Sequence, residues 1–158
     1  VEVDRKQLKL RAIKFKDACE FVAKHHRHVP PSRVWKFGTS VVLGDEVVGV
    51  VMVGPPIAPR FNDGLTLEVL RCCSDGTPHV PSMLLATAWK AARALGYYRM
   101  ITYTREHESG ASLRATGFTE VKSSPIDSWP KAPRRIVEGL YKDLKGGKTL
   151  WEIRDEEQ

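Results

Sequence analysis

The sequence has no apolar run of bilayer length. Its longest, at residues 47–53, falls far short of the roughly 20 residues a spanning helix needs. The first residues alternate charged and apolar side chains and contain no apolar segment of the signal-peptide kind. The expectation is a soluble, cytoplasmic chain without membrane contact. Cysteine is scarce. Cys19, Cys72 and Cys73 are odd in number and two are adjacent, which makes a poor disulfide framework, so reduced, partly buried thiols are expected. No CxxC or HExxH spacing occurs. His25, His26, His28 and His79, with Cys72 and Cys73, are the candidate ligands, and histidines at a helix end commonly complement its dipole; no metal is expected. There is no internal repeat and no low-complexity tract.

The chain does have a 42% hydrophobic fraction over 158 residues. That excludes general disorder and suffices for one domain, residues 1–158, with its own core. Net charge is +6, which favours acidic partners such as nucleic acid, an anionic surface or a polyphosphate cofactor, without choosing among them. The basic residues concentrate only at 24–33, 131–135 and 142–148, and solvated faces account for these equally well.

Periodicity orders the elements. Alternation at residues 8–13 predicts a strand. From Phe15, the spacing of Ala18, Phe21, Val22 and His25 predicts a helix that stops before Pro30-Pro31. Residues 35–43 and 46–53, joined at Gly44-Asp45, predict a β-hairpin. Residues 65–73 read as a strand. Leu84, Leu85, Ala88, Ala91, Ala92 and Leu95 mark a helix with Ser82 as its expected N-cap and Gly96 at its C-terminal end. A strand at 99–104, a short helix at 109–115 closed by Gly117, and a strand at 118–121 follow. Residues 123–133 read as a loop, 134–144 as a helix or ordered connection, and 148–154 as a closing strand.

Two charges stand out. Glu68 and Arg71 lie within an otherwise apolar strand. In a regular strand, residues three apart face opposite sides, and burying either charge alone is costly. Each either reaches solvent or pairs structurally, or it works in a site, with Glu68 as a general base and Arg71 as a planar fork for phosphate or carboxylate. His28 is a further acid–base candidate. Tyr103 is either a core aromatic with a solvated hydroxyl or a proton donor. The polar run 105–109 fits a pocket lining or an exposed loop. Trp129, between Ser128 and Pro130, is a candidate stacking surface.

Over residues 8–121 this succession of elements, with strand–loop–helix after Leu65 and Gly117-Phe118 after a short helix, resembles the GNAT N-acetyltransferase family. The resemblance implies an α/β (α+β) fold: a mixed central sheet with two splayed parallel strands, here 65–73 and 99–104, flanked by helices, and residues 122–158 as a C-terminal extension. It implies acetyl-CoA as the small-molecule acyl donor and an amine as acceptor. Cofactor contacts would come from Leu70 and Cys72 on the strand and from Thr77, His79, Val80, Ser82 and Met83 on the loop and helix start, where free N–H groups meet a pyrophosphate. Glu68 or His28 would deprotonate the amine, and Tyr103 would protonate the leaving group. The family's loop carries Arg or Gln, then two residues, Gly, one residue, and Gly or Ala; here Gly76, His79 and Pro81 stand at those three positions. Leu113 stands where many members have a tyrosine. Glu68, Arg71, Ser82, Tyr103 and Gly117-Phe118, after a His-rich helix end, also resemble a phage- and plasmid-associated branch that includes Mom-type DNA-modification enzymes. That implies adenine in DNA as acceptor and a different donor. A third expectation is a non-catalytic binding module on the same scaffold.

Overall fold

The computed structural model describes residues 2–25, 30–105, 108–124 and 147–156. His26, His28, Glu106, His107 and Trp129, and the expected elements between 125 and 144, lie outside the described residues. Among the described residues seven strands and three α-helices follow one another: β1 (Leu8–Arg11), α1 (Phe15–His25), β2 (Phe37–Leu43), β3 (Glu46–Gly54), β4 (Thr66–Ser74), α2 (Val80–Ala94), β5 (Arg99–Arg105), α3 (Ala111–Thr116), β6 (Thr119–Ser124) and β7 (Lys148–Arg154). The expected elements over these residues are all present, with ends shifted by a few positions. None of the described helices is long and apolar enough to cross a membrane.

The strands form one mixed sheet in the order β1-β2-β3-β4-β5-β7-β6. Among the described strands only β4 and β5 pair in parallel; the other neighbours are antiparallel. Helix α1 covers one face, where Ala18, Phe21 and Val22 pack with Val50, Met52 and Cys73. The opposite face is covered by α2, whose Leu84, Leu85, Ala88, Trp89 and Ala92 meet Val51, Val53, Leu67 and Met100. Each large aliphatic side chain so buried contributes about 1.5–3 kcal/mol, so this face supplies much of the core's stability.

Helix α2 ends as its sequence dictates. Gly96 takes a left-handed φ of 95°. The Tyr97 N–H bonds back to the Ala92 carbonyl at 3.0 Å, and Gly96 N–H to the Arg93 carbonyl at 2.9 Å. These are the paired bonds of a Schellman stop. The start differs from expectation. His79, not Ser82, is the N-cap, and its side chain makes no capping bond. Ser82 lies inside the first turn and its hydroxyl donates to the His79 carbonyl at 3.2 Å.

Candidate active site

The site arises where β4 and β5 separate. Their ladder holds for Thr66↔Arg99, Leu67↔Met100 and Glu68↔Ile101, while both strands run on, to Ser74 and Arg105. Past Glu68 the Thr102 hydroxyl still reaches the Val69 carbonyl at 3.2 Å; beyond that bridge the gap opens into a cleft of about 400 Å³. A strand edge left unpaired inside a protein needs partners, and a ligand in the cleft would meet that edge.

A bulge on β4 shapes the cleft. Val53 pairs with Val69 and Met52 with Arg71, so Leu70 is one residue too many for its partner strand. Gly54 makes room: a Cβ there would lie 2.7 Å from Leu70 Cδ1. The extra residue shifts the alternation by one. Glu68 and Arg71 were expected on opposite sides, and they instead face the same side and both line the cleft.

Glu68 is 5% exposed. It accepts a hydrogen bond from Ile57 N–H at 3.2 Å. Burial pushes its carboxyl up to about 7, against smaller opposing effects from that bond, Lys148 and Arg71. Arg71 is committed to architecture. Its Nε donates to the Pro30 carbonyl at 2.8 Å and its Nη1 to the Leu70 carbonyl. Together with Cys19, whose thiol donates to the Ser32 carbonyl at 3.6 Å, it ties the segment after α1 to the sheet. Cys72 lines the cleft with its thiol pushed up to about 12 by burial and by Cys73, which makes it an inert wall rather than a nucleophile. Tyr103 lines the cleft from β5.

The other expected contacts sit at the helix start, outside the cleft lining. Thr77 uses its N–H and hydroxyl on the Asp75 carboxylate. His79 has a φ of 72°, the one left-handed non-glycine residue among those described, at the position aligned with a family glycine. The Val80 side chain is fully buried, and a Cβ on Gly49 would meet its Cγ1 at 2.2 Å. Met83 N–H already bonds the His79 carbonyl at 3.1 Å. What this helix end offers is the Val80 and Ser82 N–H groups; Pro81, which lines the cleft, has none to give.

Leu113, at the position where the resemblance has a tyrosine, lines the cleft. Several other cleft residues were not expected from the sequence: Leu85 completes an apolar wall with Leu113, and Thr104 holds the Trp151 indole N–H at 2.8 Å. Lys148 enters from the first position of β7, its Nζ 4.5 Å from the Tyr103 ring centroid. Burial pushes its ammonium down, Glu68 acts in the opposite sense, and Arg60 adds to the fall. Only the sheet order, which inserts β7 beside β5, brings it there.

No protein-family model matches the sequence, and no curated protein does. Solved structures do match in shape. The yncA protein of Salmonella typhimurium, in a structure with its cofactor acetyl-CoA, superposes with a TM-score of 0.67 at 14% identity over 96% of both chains. A ribosomal-protein-alanine N-acetyltransferase from Brucella melitensis gives 0.65 at 13% identity, covering 93% of this chain and 99% of its own. An acetyltransferase of the GNAT family from Streptococcus pneumoniae gives 0.62 at 15% identity, over 93% and 98%. The parted parallel strands, the bulged β4 and these superpositions together establish that the chain has the fold of the GNAT acetyltransferases.

Proposed function

We propose that this protein is an N-acyltransferase that passes an acyl group from acetyl-CoA to an amine. The observation that carries the reading is a buried carboxyl, Glu68, with its proton affinity raised to about 7, in a cleft between two parted parallel strands. The residues present fit the donor in two parts. The cleft, walled by Leu85, Leu113 and Pro81, suits a slender thioester arm. The first turn of α2 suits a pyrophosphate through the Val80 and Ser82 N–H groups, with the Ser82 hydroxyl and the loop at Thr77 and His79 beside it. When bound, the cofactor supplies an activated carbonyl.

The chain's own residues then have distinct tasks. Backbone N–H groups of β4 between Leu70 and Cys72, beside the gap, would polarise that carbonyl. Glu68, half ionised near neutral pH, takes the proton from the attacking amine. Leu113 has no proton to give at the α3 position where many of these enzymes carry a tyrosine, so the proton for the departing thiolate is assigned to Tyr103, which lines the cleft from β5. Arg71 fixes the bulge and the segment at Pro30 rather than gripping substrate. A base in DNA as acceptor, after the manner of Mom-type enzymes, has only the +6 charge in its favour. A non-catalytic binding module leaves the raised Glu68 unexplained.

Calorimetric titration with acetyl-CoA tests the reading. Saturable heat in the micromolar range is expected; no heat at high micromolar protein contradicts it. In a coupled assay of thiol release with a panel of amines, Glu68→Gln is expected to lower kcat by at least about 100-fold.

A further inference from the structure

The charged groups around the cleft come from five elements: Glu68 and Arg71 from β4, Arg105 from β5, Glu108 from the segment before α3, Arg60 from the turn at Pro59–Phe61, and Lys148 from β7. Of these, Lys148 has the most specific placement. It is the residue at which β7 begins, in register with Arg105. Its stem is half buried, its ammonium stands over the Tyr103 ring at 4.5 Å, and it shares the cleft lining with Glu68. A half-buried ammonium is costly to place without a counter-charge or an aromatic face, and here one side chain is set against both.

We propose that Lys148 is a positioning residue for the base: its ammonium, held by the Tyr103 ring and coupled to Glu68 through the cleft, favours the ionised carboxylate and so sets the pH at which Glu68 can accept a proton. The role of Glu68 as a base rests on the acyltransferase reading; its coupling to Lys148 does not. Burial alone drives Glu68 towards its neutral form, in which it accepts no proton from an amine. A nearby cation opposes that drive, and so does Arg71 from the same strand, while Arg60 bears on Lys148. Lys148 therefore works through Glu68 and need not touch substrate. Tyr103 has a second part, as the platform that keeps the ammonium from turning out to solvent.

The test needs no acceptor and no cofactor. Protein labelled with 13C at the glutamate carboxyls is titrated by NMR from about pH 4 to 9, and the Glu68 resonance is identified by its loss in Glu68→Gln. Removing an opposing charge raises a carboxyl's midpoint, so Lys148→Met is expected to move the Glu68 midpoint upward by about one pH unit, tenfold in proton affinity. Lys148→Arg, which keeps the charge, is expected to stay close to the parent. Tyr103→Leu is expected to move it in the same direction as Lys148→Met by a smaller amount. Amide spectra of each variant report whether the fold is kept, and Lys148→Arg carries the test if Lys148→Met does not fold: with Arg retained, raising the salt concentration shifts the midpoint upward. An unchanged Glu68 midpoint in folded Lys148→Met, or a salt-insensitive one in Lys148→Arg, overturns the proposal. Failure of the acyltransferase reading shows separately, as absent acetyl-CoA heat with the Glu68–Lys148 coupling intact.

Discussion

Glu68→Gln should make the protein more stable at alkaline pH while it disables the site. Glu68 is 5% exposed and its carboxyl is raised from the ordinary 4.5 to about 7. Below pH 4.5 both the folded and the unfolded chain hold the proton, and the residue adds no penalty. Between 4.5 and about 7 the unfolded chain releases a proton that the folded chain keeps, so stability falls as pH rises. Above about 7 the folded state carries the full cost of a buried carboxylate. At about 1.4 kcal/mol per pH unit, the interval corresponds to about 3 kcal/mol. Glutamine has nearly the same shape, can accept the Ile57 N–H that Glu68 accepts at 3.2 Å, and never ionises. The variant should therefore match the parent near pH 4 and exceed it by about 3 kcal/mol at about pH 8.5. For a chain of this length that is about 6–12 °C in Tm. Urea unfolding at both pH values measures the difference directly. A Glu68→Gln protein no more stable than the parent at the alkaline pH, or one whose advantage is the same at both pH values, refutes the raised proton affinity.

Other substitutions probe the framework. Gly49→Ala places a Cβ 2.2 Å from Val80 Cγ1 and 3.1 Å from Leu84 Cδ1; overpacking of that kind costs about 1–3 kcal/mol, and chemical denaturation should show Val80→Ala recovering part of the loss in the double variant. Arg71→Ala removes the 2.8 Å bond to the Pro30 carbonyl and one of the cations that favour the ionised form of Glu68. It should cost about 2 kcal/mol in urea unfolding and raise the Glu68 titration midpoint in the carboxyl NMR experiment. Trp151→Phe gives up the buried 2.8 Å bond to Thr104 and should lower stability by about 1–2 kcal/mol, with no change in the Glu68 midpoint.

The legible parts of this molecule were those set by local pattern. The closing strand at 148–154 and the Ala-rich stripe from Leu84 that marks α2 were legible because burial of one face leaves its period in the sequence. The cap of α2 was not legible: Ser82 is the better capping type, yet His79 takes the cap position in a left-handed conformation that residue type does not announce. The same holds for the bulge. Whether Leu70 is paired or extra depends on its register with β3, and that one residue decides whether Glu68 and Arg71 oppose or share a face. Glu68 was visible as a charge in an apolar strand. Lys148 was not visible as a site residue. It lies far from Glu68 along the chain, and only the placement of β7 beside β5 brings the two into one cleft.

In the proposed reaction the edge of β4 exposed by the parted strands, and the first turn of α2, receive the acyl donor. Amide NMR of 15N-labelled protein titrated with acetyl-CoA addresses both at once. The largest shifts are expected on Val69, Leu70, Arg71 and Cys72 and on Val80 and Ser82. Saturable shifts confined to other parts of the sheet, or none at millimolar acetyl-CoA, contradict that placement.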